Sequence, residues 1–122
     1  MQAARIYGVL SAGVIAFQLG LALGMPWGAL AMGGAYPGTY PPEMRVVAVA
    51  AALLLAGFAG LVLLAARGTV ARAWLWPLAG LLGLGLALNL ISPSAGERAL
   101  WAPVVAVMLA CTVRVAWGKA VA

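Results

Sequence analysis

Two Glu–Arg couples, Glu43-Met44-Arg45 and Glu97-Arg98, are the residues of this chain best equipped for chemistry, and they contain its only two acids. A guanidinium beside a carboxylate can form an ion pair, or it can turn its planar fork toward a phosphate or carboxylate ligand. As a catalytic set a Glu–Arg couple is thin. No histidine is present, so neither a Ser–His nor a Cys–His pair exists. A metal would have only Glu43, Glu97 and the single cysteine, Cys111, as ligands, too few for a zinc or iron site. The expectation is no catalytic residue, no metal and no cofactor.

The remaining polar side chains are scarce, and they fall inside long apolar runs. Tyr7, Ser11 and Gln18 follow one another along one face of the first run, and Asn89 and Ser92 lie one turn apart near the end of the third. Hydrogen bonds between such groups on neighbouring helices are worth about 0.6 kcal/mol each on average. Two readings stay open for Ser11, Gln18, Asn89 and Ser92: interhelical bonding, or the lining of a small polar pocket. Cys111 and Thr112 read as packing residues.

These residues need elements to hold them, and the composition names the solvent of those elements. Of 122 residues, 66% are hydrophobic and 7% charged. A water-soluble domain keeps roughly a quarter of its residues charged. Four apolar segments, about 6–24, 44–66, 73–92 and 99–117, each approach the ~20 residues that span ~30 Å of hydrocarbon as helix. They predict one all-α membrane domain over 1–122, a four-transmembrane-helix antiparallel bundle with a long ordered first extracytoplasmic loop at 25–43. The linkers Thr69-Val70-Ala71-Arg72 and Pro93-Ser94-Ala95-Gly96-Glu97 are short, which makes the last three helices successive antiparallel neighbours. Ala29-Leu30-Ala31 has the small-x-small form of a signal cleavage site, but the preceding run exceeds a signal core, so the first segment is read as a retained helix.

With four spans, both ends of the chain share one side with Arg5, Arg67, Arg72, Arg114 and Lys119, and no acid. The other side holds Arg45 and Arg98, each beside its glutamate. The positive-inside rule then puts both termini in the cytoplasm of a cell (inner) membrane, with the whole net charge of +5 facing anionic lipid. Charges so few and scattered do not make a nucleic-acid footprint. Trp27 and Trp101 fall at the outer boundary, Trp74, Trp76 and Trp117 at the inner one, as interfacial belts do. No carboxylate lies mid-span, unlike the very small drug transporters.

Small residues recur every fourth position, most persistently at Gly8, Ala12, Ala16, Gly20 and Gly24, and predict a close helix contact within the chain or between copies. Pro77 and Pro103 are read as lying in the first turns of the third and fourth helices. Ser94-x-x-Glu97 has the capping-box form. Glu43, after Pro41-Pro42, suits a helix start, whereas Arg45 and Arg98 sit at the wrong end of the helix dipole for cations. The structural account pairs Arg45 with Glu97 and Arg98 with Glu43 across the bundle mouth. The functional account offers both arginines to an anion.

Pro26-Trp27-Gly28, then Gly33-Gly34, then Arg45 in PPEMR opening a helix, and finally Asn89, Ser92, Ser94, Glu97, Arg98 and Trp101 in NLISPSAGERALWAP form a pattern. It resembles small four-helix bacterial membrane proteins of no known activity, and the resemblance implies the four-helix fold alone. Nearly all of these residues map to the outer end. The expected function is therefore that of a non-enzymatic polytopic membrane protein, a binding or accessory subunit engaging a lipid headgroup, an anionic ligand or a membrane-protein partner. Its candidate outer-face site is Trp27, Glu43, Arg45, Asn89, Glu97, Arg98 and Trp101. Expected partners are membrane lipids and a homo-oligomer or membrane-protein complex, not nucleic acid. The competing class is an oligomeric small-solute transporter or channel with a polar path near Gln18 and Asn89.

Overall fold

The computed structural model describes residues 1–118; Lys119, one of the basic residues on the terminal face, lies outside them. Four helices follow in order: α1 (Gln2–Leu23), α2 (Pro42–Ala66), α3 (Leu75–Leu90) and α4 (Ala95–Trp117), with no strand among the described residues. All four are long and apolar enough to cross a membrane, α3 by counting its 3-10 lead-in from Arg72. Val9, Leu23, Val46, Leu53 and Ile91 are each at least 70% exposed, a disposition water would penalise and lipid would not.

Local chemistry sets the helix ends. Gly24, at φ 101°, closes α1: its own N–H reaches Leu21 O and the Met25 N–H reaches Gly20 O, the double bond of a Schellman stop. Gly68, at φ 81°, ends α2 the same way, through Leu64 and Ala65 carbonyls. Pro42 starts α2 at a position where the missing N–H costs nothing, and Glu43 lies in its first turn. The N-cap of α4 is Ser94, whose hydroxyl accepts the Glu97 N–H at 3.2 Å.

Three boundaries differ from the sequence reading. Helix α1 begins at Gln2, ahead of the apolar run, because helix does not require apolar residues, only the absence of a stop. Helix α4 begins at Ala95, so Pro103 lies about two turns inside it and removes a bond to Ala99 O that the chain must do without. Helix α3 ends at Leu90, leaving Ser92 outside the helix.

Packing pairs α1 with α2 and α3 with α4, and the α1–α4 contact joins the halves. Helices α2 and α3 touch little despite their short linker, contrary to the expectation of successive neighbours. Two apolar cores result. The larger gathers Tyr7 of α1, Val62 and Ala65 of α2, Leu75 of α3, and Met108 and Val115 of α4. The smaller holds Leu21, Tyr40, Met44 and Ala48 under the 25–41 connection. Of the α1 small-residue stripe, Gly20 is covered by the Trp27 ring and Gly24 forms the helix stop, while Ala12 and Ala16 are exposed and nothing lies within 4 Å of a Cβ placed at Gly8. The stripe is thus not a helix–helix seam within this chain.

Candidate functional site

The connection between α1 and α2 is a folded cap. Two 3-10 turns, Gly28–Leu30 and Met32–Gly34, carry it across the end of the bundle. The cap closes on itself through the Gly28 N–H, which donates to Gly38 O at 2.8 Å. Gly28 is obligatory there, since a Cβ would meet the Tyr36 carbonyl and stand 2.7 Å from Gly38 O. Trp27 lies flat over Gly20 and stacks on Phe17 with ring centroids 5.9 Å apart, and Phe17 meets Trp101 edge-on at 4.7 Å. Trp27 and Trp101, both half-buried at this end of the bundle, are thus joined through Phe17 into one aromatic cluster. Trp74, Trp76 and Trp117 do face outward, as a belt would.

Helix α4 supplies the fastening. The Ser94 hydroxyl donates to Ala29 O at 2.7 Å, and the Trp101 indole N–H to Leu30 O at 2.8 Å. The Glu97 carboxylate accepts the Gly33 N–H at 2.8 Å and the Ser92 hydroxyl at 3.0 Å on one oxygen, Oε2. A capping box would send that carboxylate back to the Ser94 N–H. Instead the Ser94 N–H donates to the Ser92 hydroxyl at 3.2 Å, so only half of the box forms and the glutamate is free to hold the cap. Hydrogen bonds to a charged acceptor contribute about 1.5–3 kcal/mol.

Neither cross-helix ion pair expected of the arginines is formed. Arg45 Nε donates to Tyr40 O at 3.0 Å, and its guanidinium lies against Gly24. Arg98 donates to Ser92 O at the turn before α4. Each cation faces a carbonyl of its own entry turn, which compensates its unfavourable place at a helix start. Glu43 lies in the first turn of α2 and bonds neither arginine among the described residues.

Beneath the cap lies a partly open cavity of about 220 Å³. Gln18, Asn89, Glu97 and Trp101 reach it together, joined by Tyr40 and Met32, so the structure unites residues from four elements that the sequence only suggested were level. Asn89 does not bond across to Gln18; its amide donates to Gly85 O, one turn back in its own helix, at 2.7 Å. Ser11 is buried elsewhere, beside Tyr7 in the body of the bundle, and Ser92 serves the Glu97 latch. Trp27, Glu43, Arg45 and Arg98 are not in the cavity wall.

Three contributors escaped sequence reasoning. Phe17 is the middle ring of the stack, and its position one turn before Gly20 was the available signal. Tyr40 is 3% exposed; burial, with the Glu97 charge and Tyr36 adding to it, raises its phenol above the ordinary value near 10. Met32 is the one non-glycine residue at positive φ among those described, 53°, and it is 57% exposed. Nothing in the sequence announces that conformation. No protein-family model, curated protein or solved structure matches this chain.

Proposed function

We propose that this protein is a non-enzymatic multi-pass protein of the cell inner membrane, an antiparallel bundle with both termini cytoplasmic and the cap outside. It acts as a binding or accessory subunit, and its partner is another membrane protein that docks on the cap. One observation carries the reading: Met32 stands exposed in a backbone conformation that is uncommon for any side chain, on a loop held by Ser94, Glu97, Trp101 and Arg45 and by an aromatic stack. Met25 and Tyr36 of the same connection are exposed as well.

A photo-crosslinker introduced at Met32 in native membranes tests this. The expected result is one dominant adduct that Tyr36→Ala and Met25→Ala weaken while the melting temperature of the purified protein stays within a few degrees. Wild-type and variant protein giving the same lipid-only background would remove the proposal.

The 220 Å³ cavity supports a second reading, a small-solute transporter using Gln18 and Asn89. In proteoliposomes that reading requires a flux which Gln18→Leu abolishes. A flux-silent monomer counts against it.

A further inference from the structure

The opposite end of the bundle, away from the cap, holds an open groove of about 1010 Å³ between α1 and α4. Its walls are apolar, among them Ile6, Ala106, Val107 and Ala110, and its mouth, where the start of the α3 lead-in meets the end of α4, is cationic, with Arg72 and Arg114. Arg72 Nη1 donates to Val115 O at 2.7 Å, near the C-terminal end of α4, which fixes the guanidinium plane. Its other amino group, Nη2, is buried with no hydrogen-bond partner among the described residues. A Cβ placed on Gly118 would stand 2.7 Å from Nη1 of Arg72 and 3.3 Å from Nη1 of Arg114, so two guanidinium groups share one small space.

Nothing in the chain's own side chains balances them. Both acids of the sequence, Glu43 and Glu97, belong to the capped end. Two adjacent cations with a buried, unsatisfied N–H at the mouth of an apolar trough are costly alone and complementary to one class of molecule. We infer that this groove binds an anionic phospholipid, its headgroup phosphate taken by Arg72 and Arg114 and one acyl chain lying along Ile6, Ala106 and Ala110. The inference concerns the end remote from the cap and stands if the docking proposal fails.

Lipid binding to the purified protein, extended at its C-terminus by a neutral linker that carries the terminal carboxylate away, decides the matter by native mass spectrometry. Phosphatidylglycerol and phosphatidylcholine of identical chains are compared. Wild-type protein should retain one phosphatidylglycerol with at least tenfold preference. Arg72→Gln and Arg114→Gln should each lower that preference several-fold, and Arg67→Gln, an exposed cation at the same end, should leave it unchanged. Should Arg72→Gln unfold the protein, Ala110→Leu still tests the site, since it fills the trough and leaves both arginines; it should cut retention of the lipid. Equal retention of the two lipids, or an Ala110→Leu variant that binds as the wild type does, overturns the inference. So does equal protection against thermal unfolding by inorganic phosphate alone, which would make the site one for a free anion.

Discussion

Glu97 shows how far a single side chain can depart from the role its neighbours imply. The Ser94-x-x-Glu97 spacing specifies a helix start, and the Ser94 half of that specification is met. The carboxylate instead joins α4 to a loop 64 residues earlier, at Gly33. No local pattern encodes that, because the acceptor's partner is a backbone N–H presented by Gly33 at φ 66°. Burial, and after it this carboxylate, acts on the Tyr40 phenol. Its pKa is raised in the folded state, so the stabilising contribution of the neutral phenol is complete below the ordinary value near 10 and is lost as pH rises past it toward the folded value. Thermal unfolding in detergent should therefore show a destabilisation beginning above pH 10, and Tyr40→Phe should remove the Tyr40 share of it. An unchanged alkaline profile in Tyr40→Phe would show that the phenol is not strained by its surroundings.

At the scale of elements, the cap is where packing is most exacting. Gly28→Ala drives a methyl group into the Tyr36 carbonyl, and overpacking of this kind costs about 1–3 kcal/mol. Gly57→Ala makes a matched control: nothing lies within 4 Å of the new Cβ, and alanine is the better helix former by roughly 1 kcal/mol. Tryptophan fluorescence during chemical unfolding should report a lower midpoint for the first and an equal or higher midpoint for the second. Four helices and the Ser94 cap were legible because each depends on a few adjacent residues; the glycine stops at Gly24 and Gly68 are as local, but the sequence reading takes Gly24 for a contact residue and passes over Gly68. The α2–α3 separation, the fate of Arg45 and Arg98 and the bond of Trp101 to the cap were not legible, because each is decided by which distant carbonyl or ring comes within reach. In hydrocarbon, where apolar faces are interchangeable, hydropathy says that a helix spans but not which neighbour it chooses.

For the whole molecule, the sided distribution of charge is the testable property. Ala35 and Thr69 are exposed on opposite ends of the bundle, on the cap and on the α2–α3 turn. In a Cys111→Ala background, Ala35→Cys should react with a membrane-impermeant maleimide in intact cells, and Thr69→Cys only after permeabilisation. The reverse pattern would invert the topology and move the docking surface to the cytoplasm. Labelling of both from outside would mean insertion in both orientations.

The division into an α1–α2 half and an α3–α4 half carries a consequence for biogenesis. The loop that becomes the cap is made before α3 and α4, yet Ser94, Glu97 and Trp101, which fasten it, come only with α4. During that interval the nascent chain presents an unlatched loop with its carbonyls and Gly33 N–H unmatched. Completion of α4 supplies the partners of that loop, and its arrival should protect the loop from protease. Ribosome-bound chains halted before and after α4 leaves the translocon should differ in cleavage of the 25–41 segment more than in the insertion of α1 and α2.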